Sequence, residues 1–290
     1  MKAERHLLAT AALVALTVIL FAPAVAVAAR PTLAAGFAHT VVLKSNGSLW
    51  AWGDNSRGQL GDGTTTLRKL PKRVGATRSW KGVSCGGAHT LAIAADGTLW
   101  AWGLNNYGQL GLGDLTKRTK PTRVSASTGW VSVYAGSQQS FAIRSDGSLW
   151  AWGYNGEGQL GVGDWADRRT PTQVSGYGWK CVGAAMGATV GIYTPAYIYG
   201  WGQWGYNWYP RYPLNNSSDW AAVSCGSGHA LAIKDDGTLW TWGSDYTVLG
   251  RGSSVDSFTP GKVGTSTAWS MARGGEWHSA ATRTDGTLWT

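Results

Sequence analysis

Cysteine is scarce here: Cys85, Cys181 and Cys225 are the whole complement of a 290-residue chain. An odd number at wide spacing implies no disulfide framework, and Cys85 and Cys225 share one repeat position, as small buried residues would. Acidic residues are few, 16 against 25 basic ones, for a formal net charge of +9. Such a balance admits an anionic partner without requiring one. Catalytic signatures are thin as well. The chain has no phosphate-cradling Gly-x-x-x-x-Gly-Lys-Ser/Thr and no His-Glu-x-x-His, the patterns that would seat a nucleotide or a catalytic zinc. The expectation is a protein that is not an enzyme and carries neither cofactor nor metal.

A long apolar run occurs only near the start. Lys2 and Arg5 lead into Leu7 to Phe21, followed by Pro23 and small residues up to Ala28. This is the pattern of a secretory signal, with cleavage expected near Ala26 or Ala28. An uncleaved anchor is the alternative, because the run nearly reaches spanning length, but Pro23 and the alanine-rich tail favour cleavage. The expected division is a signal peptide over 1–29 and one folded unit over 30–290, secreted and without a stable membrane anchor.

Glycine and tryptophan are abundant, at 42 and 19 residues, and few helices tolerate that much glycine. Self-comparison explains the excess. The phrase Gly-x-x-His-Thr-x-x-Leu-x-x-Asp-Gly-x-Leu-Trp-x-Trp-Gly recurs, with Trp52, Trp102 and Trp152 spaced by 50 residues, and six copies can be placed. Each begins with a short apolar run, such as Trp80 to Cys85. A second run such as Thr90-Leu91-Ala92-Ile93 lacks clean alternation, which suits a strand covered on both faces. Asp96-Gly97 and its equivalents, Asn46-Gly47, Asp146-Gly147, Asp236-Gly237 and Asp285-Gly286, favour tight hairpin turns, so Trp-x-Trp is the return strand. Residues two apart in a strand share a face, so Trp100 and Trp102 form one aromatic stripe. Each ring buries about 150–250 Å², worth at most roughly 4–6 kcal/mol, and needs a neighbouring sheet to cover it. An outer segment ending in Pro-x-x-Val (Pro71 to Val74, Pro121 to Val124, Pro171 to Val174) supplies a fourth strand. The predicted fold is all-β, a β-propeller of four-stranded blades with six discernible and the last incomplete.

The motifs Gly-x-x-His-Thr, Asp-Gly-x-Leu-Trp-Ala-Trp-Gly, Gly-Gln-Leu-Gly and Pro-x-x-Val together resemble the regulator of chromosome condensation repeat, and the match runs over residues 33–290. The resemblance implies a propeller, typically of seven blades, so a seventh is expected in a full-length form. It also implies an interaction platform, with precedents in guanine-nucleotide exchange, chromatin binding and secreted β-lactamase inhibition. The leader sequence points to a secreted, bacterial-type member and disfavours nuclear partners and nucleic acid. Two departures stand out: the fourth copy has Ala188 for histidine and Thr194-Pro195-Ala196 at the turn, and the sixth stops inside its return strand.

His39, His89, His229 and His278 occupy one repeat position, but copies in different blades cannot converge on one ion as zinc ligands must. Each reads as a buried histidine whose ring nitrogens bond to backbone and stitch strands together. The turn aspartates, and Asp62, Asp114 and Asp164, lack calcium-loop spacing and read as turn-stabilising side chains. Arg68, Lys69, Lys72, Arg73, Lys117, Arg118, Lys120, Arg123, Arg168 and Arg169 predict a basic arc on three successive outer strands, which guards sheet edges or contacts an anionic polymer.

Candidate partner-binding residues are aromatics without a core role in the repeat. Trp277 precedes His278, at the position where the secreted inhibitor relatives carry partner-facing rings, and Phe37 lies one residue off it. Trp165 stands apart from the repeat positions, as do Trp204 and Trp208, which with Tyr206, Tyr209 and Tyr212 crowd residues 203–213. Such amphipathic rings serve as anchors for proteins or stacking platforms for sugars, or else plug a shortened blade. The function expected is a monomeric, secreted protein-binding platform. The alternatives are lectin-like binding of cell-wall or extracellular polysaccharide and inhibition of a β-lactamase-type enzyme.

Overall fold

The computed structural model describes residues 32–204, 207–244, 248–252 and 255–290, without the side chains of 204 and 207–212. Its strands form six antiparallel meanders, each in chain order. Blade 1 comprises β1 (Thr32–Ala35), β2 (His39–Leu43), β3 (Leu49–Gly53) and β4 (Arg68–Val74), and blade 2 comprises β5 (Trp80–Cys85), β6 (His89–Ala94), β7 (Leu99–Gly103) and β8 (Arg118–Arg123). Blade 3 holds β9 (Trp130–Ala135), β10 (Gln139–Arg144), β11 (Ser148–Gly153) and β12 (Arg168–Tyr177). Blade 4 holds β13 (Trp179–Ala184), β14 (Ala188–Tyr193), β15 (Tyr197–Trp204) and β16 (Asn207–Pro213). Blade 5 is β17 (Trp220–Cys225), β18 (His229–Lys234), β19 (Leu239–Gly243) and β20 (Ser257–Lys262), and blade 6 is the three-stranded β21 (Trp269–Gly274), β22 (Ser279–Arg283) and β23 (Leu288–Trp289). The molecule is a six-bladed β-propeller with an incomplete last blade. The expected signal peptide over 1–29 lies outside the described residues.

Every blade has two chemically different faces, and unlike faces pack together. Leu91, Ile93, Leu99, Ala101 and Leu110 of blade 2 form one core with Trp130, Val133, Ala142 and Trp152 of blade 3. The same aliphatic-to-indole pairing joins blades 1 and 2, 3 and 4, 4 and 5, and 5 and 6. All six residues of β6 are buried for this reason: Leu91 and Ile93 serve one neighbour while Ala92 and Ala94 serve the other. Alternation is present but both partners of it are apolar.

Alanine on the middle strand has a steric purpose. Ala92 pairs with Val83 on one side and Trp100 on the other, so large rings on the flanking strands meet above a small side chain. Trp80 packs edge to face on Trp100 at 6.1 Å and lies 6.0 Å from Trp102. In blade 4 the equivalent residue is Gly191, where even a Cβ would stand 2.6 Å from Trp179. Tyr199 replaces the first Trp of the pair there, and Tyr193 joins the cluster at 5.2 Å from Trp179.

In blades 3 and 5 the two tryptophans of the stripe are not equivalent in burial. Trp102, Trp152, Trp201 and Trp242 are fully buried between sheets, whereas Trp50, Trp150 and Trp240 are half-buried. Each of the latter donates its indole N–H to Ser48, Ser148 or Thr238. Those hydroxyls in turn bond Asn46, Asp146 or Asp236 of the turn, which explains why Ser or Thr follows the turn glycine. The matching hydrogen bonds from Thr98 hold the Asp96 carboxyl below the ordinary carboxylate range.

Part of the excess positive charge lies over these rings. Lys44 sits over Trp50, Arg144 over Trp130, Lys234 over Trp220 and Trp240, and Arg283 over Trp269 and Trp289. All four occupy one repeat position at the end of the second strand, where a cation gains from the ring quadrupole.

The Gly-Gln-Leu-Gly loops are inter-blade buckles. Gln59 O accepts from Thr90 Oγ1 and Trp102 Nε1 of the next blade at 2.8 and 2.9 Å. Asn105 holds the second loop in shape, accepting from Leu110 N and donating to the carbonyls of Asp114 and Thr116. Asn105 is fully buried, so Asn105→Ala strands several backbone groups at once. A loss of about 2–4 kcal/mol is expected from the shift of the urea midpoint, with no loss for an exposed control such as Lys117→Ala.

Candidate functional site

The turns between the first and second strands of all six blades meet at one end of the propeller axis. They surround a cavity of about 550 Å³ whose lining includes Gly36, Gly86, Gly136, Ala185, Gly226 and Gly275. Small residues are required at this mouth: a Cβ on Gly86 would collide with the His89 ring and with Gly136 O. Backbone hydrogen bonds run from turn to turn, Phe37 N to Gly87 O at 3.3 Å, Gly87 N to Ser137 O at 3.1 Å and Ser227 N to Gly275 O at 3.2 Å. Gln139 spans the third and fourth turns through Ala185 O. The rim is thereby a fixed scaffold.

Large apolar side chains project from it. Phe37, Met186 and Trp277 all line the mouth and are 65%, 52% and 60% exposed. Arg273 and Glu276 supply charge beside them. The structure thus brings Phe37 and Trp277 to one surface. Met186 stands two residues before Ala188 as Phe37 stands two before His39, but it carries no aromatic ring and so lies outside the aromatic pattern that marks the other two. Trp165 is exposed in the loop between β11 and β12, away from the mouth lining. The side chains of Trp204, Trp208 and Tyr209 lie outside the described residues, as does Tyr206 altogether.

Beneath the rim, His39, His89 and His229 link sheets rather than strands, whereas His278 of the incomplete last blade is exposed, against the buried role its repeat position implies. His39 Nε2 meets Thr90 Oγ1 at 3.1 Å, His89 Nε2 meets Ser140 Oγ at 2.9 Å and His229 Nε2 meets Ser279 Oγ at 3.0 Å. Each hydroxyl already donates to a carbonyl, of Gln59, Gln109 or Val248, so each imidazole must be the donor to it. The partner is a hydroxyl of the next blade, not the backbone within a blade as the repeat suggested. Desolvation pushes His39 and His229 down to about 4 and His89 to about 3. These rings stay neutral and structural near pH 7. Among the described residues no three His, Cys, Asp or Glu side chains come together as metal ligands.

One sequence stretch, Gly82-Val83-Ser84-Cys85-Gly86, has the letters of a nucleophile elbow. Ser84 lies within β5, and its Oγ accepts from Ala135 N of the next blade at 3.0 Å, so the strand-to-helix turn that motif needs is missing. Burial also raises the Cys85 thiol to about 12, which leaves it inert.

The basic arc is partly neutralised. Arg68, Arg118 and Arg168 pair with Asp62, Asp114 and Asp164 at 2.5, 2.6 and 2.5 Å. Lys69, Lys72, Arg73 and Arg123 remain exposed on β4 and β8, and Arg169 on β12. These are outer strands of their sheets, where basic side chains discourage edge pairing.

Six radial meanders with a scaffolded mouth define a repeat β-propeller. Two models of the regulator of chromosome condensation repeat match the chain, one at residues 46–93, 96–143, 146–191 and 236–282, the other at 32–59, 80–109, 130–159 and 220–246. The first alone covers more than half of it, and the chain belongs to that family. Human WBSCR16 is similar in structure, with a TM-score of 0.79 at 22% identity over 88% of this chain and 72% of that one. Prp20p of Saccharomyces cerevisiae, whose binding to Gsp1p and histones is described with its structure, gives 0.73 at 21% identity over 86% and 67%. A stretch of human E3 ubiquitin-protein ligase HERC2 is 43% identical over 49 residues, 17% of this chain and 1% of that protein. The chain therefore spans a very small part of that relative.

Proposed function

We propose that this chain is a secreted, non-enzymatic protein-binding platform whose contact surface is the channel mouth. The observation that carries the reading is the trio Phe37, Met186 and Trp277, exposed together on a rim held by backbone hydrogen bonds. Rigid apolar anchors around a preformed recess suit protein recognition, because little side-chain entropy is lost on docking. Prp20p, of the same fold, binds proteins. Secretion rests on the leader pattern of residues 1–29, and a mature chain beginning near residue 27 or 29 in culture medium checks it.

The test is capture from culture supernatant with the wild-type chain and the double variant Phe37→Ser, Trp277→Ser. Both side chains are exposed, so the melting temperature should stay within about 2 °C while the captured protein is lost. Binding to a glycan array that survives this double variant would instead support the polysaccharide reading and overturn the mouth as the contact surface. Stoichiometric inhibition of a β-lactamase by the wild type would name the partner class.

A further inference from the structure

Positive charge is spread unevenly over the outer strands. β4, β8 and β12 carry four, three and two basic residues, whereas β16 and β20 carry one each, Arg211 and Lys262. The first arginine of each basic strand is paired with an aspartate of the preceding loop. That leaves Lys69, Lys72 and Arg73 on blade 1, Lys117 and Lys120 on blade 2 and Arg169 on blade 3, all exposed and, among the described residues, without an ion pair. Edge protection alone does not account for them. Pro71, Pro121, Pro171 and Pro260 share one place in their outer strands and already remove a ladder donor there. β20 is an edge of the same kind and has a single lysine.

Two of these side chains carry the charge across the seams between blades. Gly63 N donates to Thr119 O at 2.8 Å and Gly113 N to Arg169 O at 2.9 Å, which ties the loop of one blade to the outer strand of the next. At Gly63, with φ +88°, a Cβ would stand 2.8 Å from Lys120 Cε, and at Gly108, with φ +79°, it would stand 3.1 Å from Arg169 Cγ. The stems of Lys120 and Arg169 therefore lie on the backbone of the preceding blade, and their charged ends reach water. The cations form one band across three blades. From residue 55 to 123 the carboxylates are Asp62, Asp96 and Asp114 alone, and each is engaged, by Arg68, Thr98 and Arg118. None of the six cations lines the channel mouth.

We propose that this band binds a flexible phosphodiester polymer of the polyol-phosphate kind, laid along the circumference of blades 1 to 3. Charge complementarity selects a polyanion, and the shape of the surface selects a flexible one. The outer strands lie on the convex edge of the ring, so a flat charged surface meets one blade while a pliant chain follows all three. β4 and β8 carry no aromatic side chain, so the band holds phosphates and offers bases no stacking platform. The choice of an extracellular polymer rests on the exported reading of the leader. Binding itself does not depend on that reading, nor on which partner the mouth takes.

The experiment titrates the chain into labelled poly(glycerol phosphate) and follows fluorescence anisotropy over a range of salt. Four phosphate contacts would make binding about 50-fold weaker at about 200 mM salt than at about 50 mM, from a slope of about −0.7 per contact. The triple variant Lys72→Gln, Lys120→Gln, Arg169→Gln takes one exposed cation from each blade. It should lower the slope by about two and weaken binding about tenfold or more. A control, Lys81→Gln, Lys180→Gln, Lys262→Gln, removes the same charge from exposed sites elsewhere and should bind within about twofold of wild type. The mouth variant Phe37→Ser, Trp277→Ser should bind as wild type, so that failure of the band and failure of the mouth are read separately. Absence of saturable binding at low salt overturns the proposal, as does an unchanged slope in the band variant or equal weakening in the control. Loss of binding in the mouth variant also overturns it. So does tighter binding of an oligothymidine of equal phosphate number, which would assign the band to nucleic acid; this comparison and the salt slope need only the wild-type chain.

Discussion

Trp152→Ala is expected to destabilise the protein by about 3–5 kcal/mol, read from the urea midpoint, because it deletes a fully buried indole and opens a cavity between two sheets. Trp152 is 0% exposed and packs with residues of both blade 2 and blade 3. Its N–H also satisfies Gln109 O at 2.9 Å. Loss therefore weakens the joint between blades, and in a protein built from repeats the nearest-neighbour joint is the unit of stability. Trp150→Ala, two residues away, is expected to cost less than half as much. That ring is half-buried and bonds Ser148 within its own hairpin. Equal costs for the two variants would contradict the assignment of the second tryptophan as the inter-blade residue.

Acid should unfold the chain earlier than its carboxylates alone would dictate. His39, His89 and His229 are held below the usual 6.5, at about 4, 3 and 4, by desolvation. Their folded values are depressed, so the unfolded chain binds more protons between about pH 4 and 6.5, and stability falls as pH drops through that window. The contribution is fully present above pH 6.5. By pH 4.5 each ring costs on the order of 2–3 kcal/mol, and three together rival the whole stability of a typical domain. The urea midpoint should collapse between pH 6.5 and 4.5. His89→Gln is the informative variant, because Gln139 already occupies the equivalent place in blade 3 and spans to Ala185 O. It should lose a little stability at neutral pH and flatten the acid slope by about one proton; an unchanged slope would mean that His89 does not titrate on unfolding.

Much of this architecture was legible in the residues. Asp-Gly or Asn-Gly followed by Thr or Ser marked this hairpin in every blade but the fourth, which turns at Thr194-Pro195-Ala196, and Thr98 does bond Asp96 and Trp100 in sequence. The uninterrupted apolar run at Thr90 to Ile93 marked a strand buried on both faces, as β6 is. What escaped notice was anything carried by a backbone atom or by a pair from different repeats. Gly-Gln-Leu-Gly is visible as a recurring motif, yet its working part is the carbonyl of Gln59, which no side-chain pattern displays. His39, His89 and His229 are structural, as their repeat position implies, but their partners are Thr90, Ser140 and Ser279, each one repeat away, and His278 is exposed. Met186 shares the place of Phe37, two residues before the histidine position, but a thioether gives no aromatic signal and its part in the mouth shows only in three dimensions.

The spacing of Trp-x-Trp and the turn pairs by itself determined the strand order and the two faces of every blade, because a period of two and a tight hairpin are local properties of the chain. Which face meets which, and that Phe37, Met186 and Trp277 share one rim, were decided only when the blades closed side by side. Contacts between residues one or more repeats apart depend on rotation about a common axis, and that rotation is set by indole rings packing on a neighbouring aliphatic sheet.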